Sequence, residues 1–340
     1  ALPFAQYAAL VCDVLTDINV NGEGAPVVRE GQLAGIVIAY SAGERTAKMI
    51  PSGVISQFLA DAAAPPYRGF SSAGFTWDAL VDPAKRAWLG VDGEAGGILV
   101  QGCMPRTGAD EALQANDVII AWDGEHIDKL GYLQDEDIGR ILFPFLIKHR
   151  RAPGDTVPVR IVRSGSNRLV NVTLMRLRDD QLLIPENVTA RRAPFLVEGG
   201  IVIRELTGHY IKAHGRSWRN TMDPHLVQLY ANQRTQPARP GDRVVVLSQV
   251  LPHPINVGYH HFQDHVITDV NGQKVRNMRD VFAIQARDGH VHRVGLKYYG
   301  VDLVLDRADL AEANRTLAAT YRIPELSWQG EDPETPRKTP

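Results

Sequence analysis

One pattern of residues occurs twice in this chain, and that repetition constrains the fold more than any other feature. Residues 117–127 read DVIIAWDGEHI and residues 265–275 read HVITDVNGQKV. Each has a run of apolar β-formers, an Asp-Gly or Asn-Gly turn and a return to an apolar residue, which is the pattern of a hairpin. Each copy is followed by a stretch able to form a helix, over Met278 to Ala286 in the second case. A structural unit repeated at this separation predicts two similar domains, and 340 residues are enough for two or three compact cores. A Pro-Gly-Asp turn also leads into a strand in both halves, at Pro153 to Asp155 and at Pro240 to Asp242, but at different places in the unit, so it does not align them.

Around these copies the chain divides into four stretches. Over 26–39, PVVREGQLAGIVIA predicts a hairpin turning at Glu30 and Gly31, and Ile50 to Ala63 carries apolar residues at helical spacing behind Pro51 and Ser52. Pro65, Pro66 and Gly69 punctuate the chain and place a linker near 64–69. A second stretch, 70–180, predicts strands at 97–103, 117–122, 156–163 and 168–175, with an amphipathic helix over Glu136 to Arg150 interrupted by Pro144. A third, 185–325, repeats its outline. The tail over 326–340 is polar and proline-rich, the composition of a disordered segment.

Composition excludes several functions. Thirty-seven basic against 39 acidic residues leave a formal charge of −2 with the two signs interspersed, so no footprint for nucleic acid or an anionic membrane is present. No apolar run reaches the roughly 20 residues of a membrane span, and the N-terminus lacks the order of a signal peptide, so the chain reads as soluble or already processed. Cys12 and Cys103 are too few for a disulfide framework and have no metal-ligand spacing. His253, His260, His261 and His265 are dense, but no carboxylate sits at ligand spacing beside them, so neither a metal nor any other cofactor is expected.

Taken in order, GQLAGIVIAY with KMIPSGVISQFL, ALVDPAKRAWLGV, GGILV, NDVIIAWDG, VEGGIVIREL, VVVLSQVLPHPINVGY, VITDVNGQKVRN and YGVDLVLDRADL with YRIP resemble the carboxyl half of Deg/HtrA serine proteases with two PDZ domains. The resemblance spans residues 16 to 325. It implies a mainly β fold with helices (α+β): the end of a trypsin-like β-barrel domain over 1–63, then PDZ-like partly open barrels over 70–180 and 185–325.

In that family the nucleophile sits in a GNSGGP loop. The corresponding residues here are Gly22, Glu23, Gly24, Ala25 and Pro26, so Glu23 stands at the serine's place. A carboxylate there cannot attack a peptide carbonyl in this mechanism, and its charge opposes a developing oxyanion. No histidine precedes position 23 in this sequence to act as the base. Glu23 reads either as a residue of a surface turn or as a group with a new role, and no catalytic residue is assigned.

The resemblance further implies peptide capture, in which a ligand strand adds to a sheet edge while a glycine loop receives its terminal carboxylate. In the first PDZ-like unit that loop is placed at Ser72, Ala73, Gly74, Phe75 and Thr76. Ile138, Ile141 and Leu142 on the facing helix are pocket candidates or ordinary core residues. In the second unit the matching loop is Gly199, Gly200, Ile201 and Val202, with oligomer assembly as the competing role. Two functions follow as expectations: a proteolytically inactive protein that binds exposed termini or assembles with a partner protease, or the PDZ-bearing portion of an active endopeptidase. The expected partners are peptide or unfolded segments, further copies of the chain or a Deg-type protease. The compartment implied is the periplasm or an organelle.

Overall fold

Tight turns set the strand pairing along the chain. Asp123 and Gly124 (φ 54° and 89°) fold Glu125–His126 back on Val118–Trp122, and Ser164 and Gly165 (50° and 74°) join Thr156–Arg163 to Ser166–Thr173. Asn271 and Gly272 (49° and 72°) do the same for His265–Val270 and Gln273–Lys274. Two successive residues at positive φ give the turn whose twist matches that of the strands it connects. The turns read from the repeated sequence are therefore the turns that form.

The computed structural model describes residues 11–17, 24–91, 96–136, 139–178, 181–186, 192–215, 217–234, 239–287, 289–298 and 300–330. The chain forms two compact units, Ala1–Leu177 and Arg178–Pro340. Both mix strand and helix, and their sheets are open. Among the described residues no helix is long and apolar enough to cross a membrane.

The first unit opens with a four-stranded antiparallel sheet in the order Cys12–Leu15, Thr46–Pro51, Gln32–Ser41, Pro26–Arg29. Glu30 and Gly31 make the predicted turn at φ 52° and 77°. Helix Ser52–Ala63 follows directly, with Pro51 at its start and Val54 as its buried residue. The larger sheet runs Ser166–Thr173, Thr156–Arg163, Val118–Trp122, Ile98–Cys103, Phe75–Ala79, with Glu125–His126 beside Val118–Trp122. Alternation along these strands sends Val157, Val159, Ile161, Ile119, Ile98 and Val100 into one core with Trp122 and Phe143.

The helix expected over Glu136 to Arg150 does not form as read. Gly139–Leu142 is a strand paired antiparallel with Tyr132–Asp135, and Leu146–Arg150 is a single wide π-helical turn. Gly139 sits at φ 84°, outside the helical region, and Pro144 supplies no N–H and disfavours helical backbone at the residue before it. The hairpin is held instead by Arg140, whose guanidinium lies 4.1 Å over the Tyr132 ring and 3.0 Å from Asp128.

The second unit has one sheet in the order Asp302–Asp306, Val291–Leu296, His265–Val270, Val245–Val250, Ile201–Glu205, Phe195–Glu198, Ser327–Trp328, with Gln273–Lys274 on His265–Val270. Three helices, Gly208–Lys212, Trp218–Thr221 and Pro224–Asn232, are inserted between Ile201–Glu205 and Val245–Val250. Asn277 caps the predicted helix Met278–Gln285 by accepting from Asp280 N, and Met278, Val281 and Ile284 pack it on the core. A further helix, Leu310–Thr320, buries Leu310, Ala313 and Leu317.

An ion pair locks the first unit's sheet. Asp117 is 1% exposed and receives both prongs of Arg163, Nε at 2.7 Å and a terminal nitrogen at 2.6 Å, as well as the Gln114 N–H at 2.9 Å. Arg163 also donates to Ala112 O at 2.9 Å. Removing one partner of such a pair leaves the other charge uncompensated. Asp117→Asn is expected to cost about 3 kcal/mol, read as a lowered midpoint of urea unfolding.

Candidate functional site

The strand Phe75–Ala79 ends the first unit's larger sheet and pairs on one side with Ile98–Cys103. Its other edge faces no strand among the described residues. Such an edge presents backbone donors and acceptors ready for another strand. The chain reaches it through Ser71–Ser72, which pairs with Met175–Arg176, and then through Ala73 and Gly74.

Gly74 fixes the shape of this entry. Its φ is 80°, and a Cβ there would lie 2.6 Å from the Thr107 side chain, so only glycine fits. Its carbonyl accepts from Met104 N at 2.7 Å and from Thr107 Oγ1 at 3.3 Å. With the carbonyl held inward, the N–H groups of Ala73 and Gly74 donate to no acceptor among the described residues. Successive free N–H groups in such a turn make a concavity suited to an anion.

Beneath the loop, Phe75 is 2% exposed and its ring lies 5.8 Å from Trp122 and 6.2 Å from Phe143, while Trp77 meets Phe143 edge to face at 5.1 Å. A cavity of about 20 Å³ remains between Ser72, Ala73, Phe75, Trp77, Ile147 and Lys148. That is room for about one water. A ligand side chain therefore enters only if Phe143 or Ile147 moves.

The predicted residues divide between this place and others. Ala73, Gly74 and Phe75 form the loop, and Thr76 follows on the edge strand with its hydroxyl donating to Gly102 O at 3.3 Å. Ile141 points into the core and Leu142 outward, so neither lines the cavity; Ile138 lies outside the described residues. The facing wall comes from Phe143, Pro144, Ile147 and Lys148. The misread helix concealed that wall, and Pro144 was the signal that a new segment starts there.

In the second unit Gly199 and Gly200 (φ 56° and 86°) form the two-residue turn between Phe195–Glu198 and Ile201–Glu205. Gly199 N donates to Asn314 Oδ1 at 2.8 Å, Gly199 O accepts from Asn256 Nδ2 at 2.6 Å, and Gly200 O accepts from Leu251 N at 2.8 Å. Three of the turn's four backbone polar groups are thus spent internally. Strand Phe195–Glu198 also occupies the edge of Ile201–Glu205 that corresponds to the open edge in the first unit. Ile201 is buried in the core and Val202 lies on the opposite face of the sheet. Glu23 lies outside the described residues.

Among the described residues no group of three or more His, Cys, Asp or Glu side chains is placed to hold a metal. His253 caps a short 3-10 turn by accepting from Ile255 N, and His260 meets Asn256 Oδ1 at 2.9 Å. Burial pushes the Cys103 thiol up to about 11, which keeps it protonated and a poor nucleophile.

A groove of about 630 Å³ separates helix Ser52–Ala63 from the segment carrying Phe145 and His149. His149 Nδ1 lies 3.0 Å from Gln57 Oε1, and the rings of Phe70 and Phe145 flank the imidazole. Burial, with the Lys148 charge beside it, pushes the His149 pKa down from 6.5 to about 4. A histidine that resists protonation only when folded contributes stability that is whole above 6.5 and lost as pH falls from there through about 4. Unfolding midpoints measured between pH 7 and pH 4 should decline, and His149→Gln should flatten that slope.

Residues 184–327 match the family model of a PDZ domain. Protease Do-like 2, chloroplastic, of Arabidopsis thaliana is 28% identical over 77% of this chain and 42% of its own length. Putative protease Do-like 3, mitochondrial, of the same plant is 27% identical over 78% of this chain and 45% of its own. The chain thus spans less than half the length of these relatives. Among solved structures, the HtrA-type protease AlgW with tripeptide is 22% identical over 44% of this chain and 48% of that one, with a TM-score of 0.34.

Proposed function

We propose that this chain, whose relatives are Deg/HtrA-like serine proteases and whose second unit carries a PDZ domain, captures exposed protein termini or extended segments without cutting them. The observation that carries this reading is in the first unit: an unpaired strand edge, Phe75–Ala79, entered through a loop whose Ala73 and Gly74 N–H groups are unspent. A peptide adding along that edge satisfies the strand's backbone groups, and its terminal carboxylate takes the two loop donors. Micromolar capture corresponds to roughly −8 kcal/mol, enough for reversible recognition. The second unit contributes assembly, with other copies or with a Deg-type protease, because its own edge is already paired.

The inactive half of the proposal rests on Glu23, which the family resemblance aligns with the nucleophile. A second reading is favoured by one observation, the share of its relatives that the chain spans: it is then the PDZ-bearing portion of a working endopeptidase whose catalytic residues lie on other sequence or another subunit. The proposed compartment is an organelle, after relatives named chloroplastic and mitochondrial.

Calorimetric titration with acetylated decapeptides ending in apolar residues tests capture. Free-carboxylate peptides should bind at micromolar concentration and their C-terminal amides at least tenfold more weakly. Gly74→Ala forces a Cβ against Thr107 at positive φ; it should cost about 1–3 kcal/mol of stability and abolish the preference for the free carboxylate. Absence of binding by any such peptide counts against capture. A serine-directed fluorophosphonate with casein as substrate, applied to the protein expressed from its own gene together with any bound subunit, separates the two readings: no labelling and no cleavage are expected, and labelling of sequence outside this chain or of a bound subunit supports the endopeptidase.

A further inference from the structure

We infer that the outer face of the second unit's sheet holds a separate binding site for the carboxylate of an apolar ligand, seated on Arg204. The strand register sets Phe195 opposite Arg204 and Val197 opposite Val202, so these four side chains share the sheet face turned away from the core. With Tyr321 and Ile323 from the end of the last helix they bound a cleft of about 580 Å³. That volume lies within the range of small-molecule sites. Apart from Gln249, the Tyr321 hydroxyl and two arginines the cleft is apolar, and no acidic side chain lines it among the described residues.

Arg204 is the unusual member. Its guanidinium is stacked 4.6 Å over the Tyr210 ring, which orients it and screens one side from water. Its Nε is buried and has no hydrogen-bond partner, and no carboxylate pairs with the side chain among the described residues. Desolvation lowers its pKa, in keeping with a cation that lacks a counter-charge. The other arginine, Arg192, is already paired with Glu325 and stands at the rim. Leaving a guanidinium partly desolvated and unpaired is costly, and a carboxylate offers it a two-pronged, charge-assisted partner. The apolar floor then takes a hydrocarbon or an apolar side chain attached to that carboxylate.

An acyl chain and a peptide C-terminus share this chemistry, so both are titrated into the chain: sodium octanoate, and acetyl-Ala-Val-Leu with a free carboxylate, each beside its carboxamide. The peptide titration is repeated with Gly74→Ala, which separates this cleft from the first unit's loop, so either site can fail without the other. At least one carboxylate should saturate, its carboxamide should bind tenfold or more weakly, and Arg204→Gln should weaken binding by a similar factor. Val202→Glu, which narrows the floor and adds a like charge, should do the same and decides the matter if Arg204→Gln lowers the folded fraction by circular dichroism. Octanoate alone saturating identifies an acyl ligand, and the peptide alone a protein terminus. No saturation by either carboxylate, equal binding of the carboxamides, or binding unchanged in both variants overturns the inference.

Discussion

The two-pronged contact between Asp117 and Arg163 sets the geometry on which the first unit depends. Asp117 immediately precedes the strand Val118–Trp122 and Arg163 ends the strand Thr156–Arg163, so the pair fixes how these two strands meet. Ile98–Cys103 takes its register from Val118–Trp122, and Phe75–Ala79 takes its own from Ile98–Cys103. The position of the open edge, and of the loop before it, is thus inherited from an ion pair two strands away. The contact is directional as well as attractive, because a planar guanidinium meets a carboxylate best in one orientation.

The two units resolve the same liability differently. Among the described residues, the first leaves a strand edge open and places unspent amides at its head. The second covers the equivalent edge with Phe195–Glu198, and holds Glu198 from behind through Gln285 Nε2 at 2.9 Å, with His292 Nδ1 3.2 Å from its other carboxylate oxygen but not hydrogen-bonded to it. His292 and Glu198 are both buried, which makes that strand a built part of the domain. Repeated sequence therefore does not carry a repeated edge, and strand addition needs one that is vacant.

How much was legible in the sequence follows the range of the interactions involved. Asp123-Gly124, Ser164-Gly165 and Asn271-Gly272 declare their turns locally, and the strands beside them were placed correctly. Gly74 was legible because its neighbours fit a known pattern, although its contact with Thr107 was not. The helix expected over 136–150 was misread because Ile141, Leu142, Phe145 and Leu146 fit a helical stripe, while Gly139 and Pro144 dictated a strand and a wide turn. Gly199-Gly200 matched a loop pattern although it closes a hairpin, a distinction that rests on Asn314, more than 100 residues away. Arg204 gave no signal, since an arginine on a strand ordinarily reads as solvated and its isolation depends on Tyr210, Phe195 and Tyr321.

The two-glycine turn at Gly199 and Gly200 also bears on the order in which the molecule assembles. Strands separated by two residues find each other on the order of 1–10 µs, whereas a partner such as Ser327–Trp328 must close a loop of more than 120 residues. The hairpin Phe195–Glu205 is therefore available for early pairing, ahead of contacts that must close long loops. A nascent chain that caps its own edge first spends little time offering that edge to its neighbours, which protects the second unit from intermolecular β-pairing during folding.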